Sequence, residues 1–175
     1  MRYPNKMKWM GFFILGATFI GCTKKQIAIK GYRIQGPEDH WKSVAAGSAD
    51  YAWYNDKIGA TIYVDANCGS RFQDRPLHDS VYSMTAGIRT SEEPIERALF
   101  LDGREALMVQ CKGKMDGVHI QMATVVLSKD RCLYDFVYMT RPEHFTAGFG
   151  DFHQLLHTFE TRTSRTDTLS TESKR

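Results

Sequence analysis

Residues 118–139 read VHIQMATVVLSKDRCLYDFVYM. The stretch opens with alternation from Val118 and turns apolar towards Leu127, the pattern of a strand buried on both faces. It breaks at Lys129-Asp130-Arg131, which is turn chemistry. From Cys132 the chain alternates again. Tyr134, Phe136 and Tyr138 fall on one face, and Leu133, Val137 and Met139 on the other. A central strand joined by a tight turn to a two-faced strand predicts the middle of an antiparallel sheet. Asp135 interrupts the apolar second face and needs a partner if buried, because an isolated buried charge is costly. Arg104 is the expected partner, a buried ion pair or an edge position being favoured over a ligand contact.

Outward from this stretch, Glu105–Cys111 and Ile95–Leu101 read as two more strands, joined by Asp102-Gly103, a strong hairpin signal. Before them, Leu77, Val81, Met84 and Ile88 recur at spacings of four, three and four, one face of a helix. Asp74 is its expected cap, with Arg75-Pro76 in the first turn. Ala60–Ala66, Ala49–Tyr54 and the segment from Gly31 to Gly36 carry strand patterns. Phe145, Phe149, Phe152, Leu156 and Phe159 form a second helical stripe. Gly148 and Gly150 argue that its regular part begins near Asp151, with that residue as cap. The predicted class is α+β, a mainly antiparallel sheet of about six to seven strands covered by two main helices.

The chain has 175 residues, 23 basic against 20 acidic, for a formal charge of +3. Its first residues, MRYPNKMKWMGFFILGATFIGC, carry Arg2, Lys6 and Lys8 ahead of an apolar run from Trp9 to Ile20. That run is shorter than the ~20 residues of a spanning helix. A positive start and a short apolar core describe an export signal. The end of the run, Phe19-Ile20-Gly21-Cys22, resembles the lipobox of bacterial lipoproteins, with Phe19 where Leu is usual. The resemblance implies lipidation of Cys22, cleavage after Gly21 and firm anchoring by the acyl chains. Thr23, where an Asp would retain the protein at the inner membrane, favours the periplasmic face of the outer membrane. In a Gram-positive cell the same signal places it on the outside of the plasma membrane. The alternative reading is a plain N-terminal anchor or secretory signal. Residues 1–21 are thus a signal peptide and 22–30 the lipidated Cys and tether. The folded domain is 31–162, and 163–175 is a polar tail too poor in apolar residues to fold. Removing 1–21 takes away three basic residues and no acid, so the mature chain is neutral. A nucleic-acid partner, which needs clustered positive charge, is not expected.

An oxidising compartment permits disulfides. Cys68, Cys111 and Cys132 allow three pairings. Cys68 and Cys132 both fall at strand ends and are the expected bridge, with Cys111 buried; the alternative is that all three are reduced core residues. His153 and His157, four apart on the last helix, have a spacing that lets two imidazoles share a metal. Gln154 stands where a zincin has its Glu, and no third ligand is evident, so the pair reads as border histidines and no metal is assigned. Glu92-Glu93 is a solvated turn. With no nucleophile elbow and no phosphate-binding Gly loop, no catalytic residue and no cofactor is assigned. Tyr51, Trp53, Tyr63, Tyr134 and Tyr138 are candidates for an aromatic groove that would take a small apolar ligand or lipid. The alternative for them is packing between sheet and helix.

Tyr32-x-Ile34-x-x-Pro37-x-x-x-Trp41, the order of elements, and Phe152-x-x-Leu155-Leu156-x-x-Phe159 together resemble the PsbP-like fold, an α/β/α sandwich. Gly59–Cys68, Gly103–Ala106 and Cys132–Asp135 are also similar to uncharacterised deltaproteobacterial lipoproteins. These resemblances imply a non-enzymatic accessory or binding role serving an envelope protein complex. A binder of a small apolar ligand is the second expectation, and a hydrolase or metal enzyme built on His153 and His157 the third.

Overall fold

The computed structural model describes residues 31–38 and 40–162. The signal peptide, Cys22, the tether and the polar tail expected above lie outside the described residues. The strands are β1 (Tyr32–Arg33), β2 (Lys42–Ser43), β3 (Tyr51–Asn55), β4 (Ala60–Cys68), β5 (Arg89–Thr90), β6 (Ile95–Leu101), β7 (Arg104–Met115), β8 (Val118–Lys129), β9 (Cys132–Thr140) and β10 (Glu160–Thr161). The helices are α1 (Leu77–Thr85) and α2 (Phe145–His157).

Eight strands form one antiparallel sheet in the order β2-β3-β4-β9-β8-β7-β5, with β6 also paired to β7. β8 and β9 lie inside the sheet, as their apolar runs require. Two findings depart from the sequence reading. β1 leaves the main sheet to pair with β10, while β2 and β5 are two-residue strands too short to show a period. Three hairpins close with paired positive φ angles, at Asp102-Gly103, Asp116-Gly117 and Asp130-Arg131. That geometry follows the right-handed twist of the flanking strands.

The helices cover opposite faces. α2 packs on β4 and β9, and α1 on β7 and β8. Under α2 lies the main core, which includes Ile62, Val64, Tyr134, Phe136, Tyr138, Phe152, Leu155 and Leu156. Two smaller clusters, around Val81 and Met122, lie on the α1 face.

Both helix starts differ from expectation. α1 begins at Leu77 after Pro76, so Asp74 is not its cap, and Ser80 Oγ donates back to the Pro76 carbonyl at 3.2 Å. α2 begins at Phe145, with both glycines inside it, and follows a 3-10 turn over Pro142–His144. Gly148 is there because the helix lies close on the sheet. A Cβ at that position would stand 2.8 Å from the Tyr138 hydroxyl and 2.8 Å from Ile58 Cδ1. Tyr138 in turn donates to the Phe145 carbonyl at 2.8 Å. Asp151 is mid-helix and accepts from Trp41 Nε1 at 2.8 Å and His40 Nε2 at 2.9 Å, tying the early loop to α2.

Candidate functional site

The disulfide joins Cys68 to Cys132 with Cα atoms 4.2 Å apart, as expected, and Cys111 is a buried free thiol. Cys68 and Cys132 are direct register partners in β4 and β9. Three residues further into the sheet, the same register sets Asp65 opposite Asp135.

This corrects the partner assigned to Asp135. Arg104 is exposed at the start of β7 and pairs with Leu101, whereas Asp135 is flanked by Asp65 on one side and Val126 on the other. A β7 residue is two strands away from β9, beyond the reach needed. Asp135 Oδ2 instead accepts from Asn67 Nδ2 at 3.2 Å. The Oδ1 atoms of Asp65 and Asp135 are both shielded from solvent and have no hydrogen-bond partner. Burial, and then the charge of Asp65, push the Asp135 carboxyl up to about 6. Burial and the same two carboxylates raise the Tyr63 phenol.

A buried ion pair does exist elsewhere. Lys129 Nζ lies 2.8 Å from Asp102 Oδ2, which also accepts from the Thr161 amide and hydroxyl at 2.8 Å each. Burial works against the Asp102 charge, yet Lys129 and Thr161 hold its carboxyl below the usual range. This cluster fixes β10 to the β6–β7 turn.

The five aromatic candidates do not form a groove. Tyr51, Trp53, Tyr134 and Tyr138 are buried in the α2-side core. Tyr51 stacks on Trp53 at 5.7 Å, and Tyr138 on Phe152 at 5.8 Å. Burial is the first cause of the rise that takes Tyr134 and Tyr138 to about 12. Tyr63 is on the opposite face, because neighbouring residues of a strand point to opposite sides.

On that opposite face there is an open groove of about 470 Å³. Its floor is Ala52, Thr61, Tyr63, Asp65 and Asp135, and the 44–49 segment and Met84 form its walls. It exists because α1 covers β7 and β8 and leaves the β3–β4 side of the sheet without a helix. A second, more polar recess, lined by Asn67, Arg71, Arg75 and Ser80 among others, shares Met84 and Asp135 with it. Arg71 is committed to the Ala66 carbonyl at 2.8 Å. Asp65 was missed in the sequence. Its signal was there: if Cys68 and Cys132 face each other in antiparallel strands, three positions inward on each strand are Asp65 and Asp135.

His153 and His157 sit on the outer side of α2 with ring centres 4.7 Å apart. Burial, and then His157, lower the His153 imidazole. Among the described residues no group of three or more His, Cys, Asp or Glu side chains is placed to hold a metal.

No family model and no curated protein matches the sequence. Solved structures do match. The solution structure of cyanobacterial PsbP (CyanoP) from Synechocystis sp. PCC 6803 superposes with a TM-score of 0.57 at 15% identity, covering 84% of this chain and 98% of that one. The fold is PsbP-like. The PsbP-like core also matches LpqN, involved in cell envelope biogenesis of Mycobacterium tuberculosis, with a TM-score of 0.51 at 11% identity over 78% of this chain and 88% of that one. A protein from Bacteroides thetaiotaomicron matches with a TM-score of 0.53 at 9% identity, over 75% of this chain and 45% of that one. At such identities the likeness establishes the PsbP-like fold and nothing about activity. Among the described residues no helix is long and apolar enough to cross a membrane.

Proposed function

We propose that this chain is a lipid-anchored envelope protein, tethered through Cys22, whose folded domain is a non-enzymatic accessory subunit that docks on a protein partner. The observation that carries the docking is β6. Among the described residues its outer edge pairs with no strand, and it is by far the longer of the edges left open. It also holds the most exposed large apolar side chain, Phe100 at 77%, together with Ile95 at 53%. A seven-residue edge with unpaired backbone groups and bare apolar side chains is a template for an added strand. The export signal and lipobox pattern support the anchor. The fold shared with CyanoP and with LpqN, an envelope-biogenesis protein, supports the accessory role.

Two measurements test this. A photo-crosslinking residue at position 100 is expected to capture an envelope protein in intact cells. The same residue at position 54, exposed on β3, is expected not to. Cys22→Ser is expected to leave the protein unprocessed or to release it from membranes. Equal labelling from both positions overturns the docking edge, and a Cys22→Ser protein that is still processed and membrane-bound overturns the anchor.

A further inference from the structure

Two carboxylates stand directly opposite each other across β4 and β9, and the Oδ1 atom of each is shielded from solvent and receives no donor from a protein group. Buried polar atoms are rarely left in that state. Two such oxygens on register partners are satisfied together if one carboxyl keeps its hydrogen and donates it to the other. We infer that Asp65 and Asp135 share one proton, and that this proton sets the charge of the groove they floor.

The surroundings favour this arrangement. From β4, Tyr63 and Asn67 face the pair; Tyr63 is a neutral phenol, and Asn67 brings a donor to Asp135 Oδ2 but no charge. From β8, Val126 stands beside Asp135. α1 contributes Met84 and Ser80, and the 44–49 segment contributes Val44, Ala45, Ala46, Ser48 and Ala49, none of them titratable. Beyond that segment Asp50, whose amide donates to the Val64 carbonyl next to Asp65, accepts from the Tyr32 hydroxyl at 3.0 Å and adds negative charge near the pair. The cations lining the adjoining recess are Arg71, held on the Ala66 carbonyl, and Arg75, which acts on Asp135 more weakly than burial and Asp65 do. Like charges on directly paired residues do not both ionise easily, so the second ionisation is displaced upward.

The Asp135 carboxyl titrates near 6 in the folded protein, above its value in an unfolded chain. Below both values the proton is bound in either state and the pair's stabilisation is complete. As pH rises through about 6 the folded protein must release the proton, the two charges repel across the strand pair, and that stabilisation is lost. The groove floor thus gains a negative charge at Asp135 between mild acid and neutral pH. The Cys68–Cys132 bridge, three residues away, holds the same two strands against this repulsion. A periplasmic or extracellular domain experiences the outside pH, so the groove would present different charge to any occupant in acidic and neutral surroundings.

The test is a series of thermal melts of the mature full chain between pH 4.5 and 7.5, beside Asp135→Asn and Asp65→Asn. The wild type is expected to lose melting temperature as pH rises through about 6 relative to Asp135→Asn, whose profile should be flatter and higher at pH 7.5. Asp65→Asn should move the remaining transition to lower pH. Infrared difference spectra over the same range should show a protonated carboxyl band in the wild type that is missing in Asp135→Asn. If one variant does not fold, the other and the wild-type infrared titration still decide. Parallel melting profiles in wild type and the folded variants, or no carboxyl band titrating between pH 5 and 7, overturn the shared proton.

Discussion

Replacing both Cys68 and Cys132 with serine is expected to lower the stability of the domain by about 2–4 kcal/mol, and the melting temperature by roughly 10 °C. The two residues are 64 apart in sequence, so the bridge closes a long loop in the unfolded chain. Chain entropy for a loop of that length gives about 4 kcal/mol. The lower end of the range reflects the folded state, in which β4 and β9 are already joined by a long antiparallel ladder. Urea unfolding of the double variant checks the figure, and the wild type unfolded with a reductant should show the same loss. Agreement between the two would assign the loss to the bridge, not to the serine side chains. A change below about 1 kcal/mol in both would mean that the strand pairing alone fixes this end of the sheet. Such a bridge persists in an oxidising compartment, so its contribution to stability is expected where the chain is exported.

The sheet was legible because its strands carry strong periods. In β9 the alternation of Tyr134, Phe136 and Tyr138 with Leu133, Val137 and Met139 assigned each side chain to the correct face. The hairpin dipeptide Asp102-Gly103 located its turn for the same reason: the geometry there needs positive φ, and few residues accept it. Short elements were not legible. Two residues such as Lys42–Ser43 have no period, and their pairing is decided by the strand next to them. The start of α2 at Phe145 is not legible from glycine propensity, which carries no information about the sheet. At Gly148 the requirement is the absence of a Cβ, a tertiary demand that outweighs the helix penalty. The candidate site failed in a more informative way. The aromatic residues share a chemistry, but alternation divides them between two faces, and the strongly apolar face is closed under α2. What remained open was the poorer face, where Asp65 and Asp135 break the apolar pattern. In the sequence Asp135 calls for a cation as partner, because an opposite charge is the usual solution. The register supplied another acid, and only the pairing of β4 with β9 reveals that.

Phe152→Ala is expected to cost about 3–5 kcal/mol, the largest effect of any single substitution considered. Phe152 is fully buried, and its ring stacks on Tyr138 at 5.8 Å with Phe149 at 6.3 Å. It lies between α2 and the sheet, where neighbouring rings are fixed by each other and by the Tyr138 hydrogen bond to the Phe145 carbonyl. Such a site collapses poorly, so the cavity term should be near its full value. Phe152→Leu, which keeps most of the volume, should lose less than half as much. Phe100→Ala provides the contrast, with the same change made on a ring that is 77% exposed. There the expected change in stability is within about 0.5 kcal/mol, because little packing is removed. Chemical unfolding of the three variants and crosslinking from β6 together separate the roles of the two phenylalanines. Phe152 should move stability and leave the docking edge chemically unaltered, whereas Phe100→Ala should leave stability and weaken partner capture by a probe placed at Ile95. If Phe100→Ala instead destabilises by more than about 1 kcal/mol, the ring is part of the fold and β6 loses its claim as the contact surface. If Phe152→Ala costs less than that, α2 is not held by the aromatic layer and the cover over β4 and β9 must be explained by its leucines.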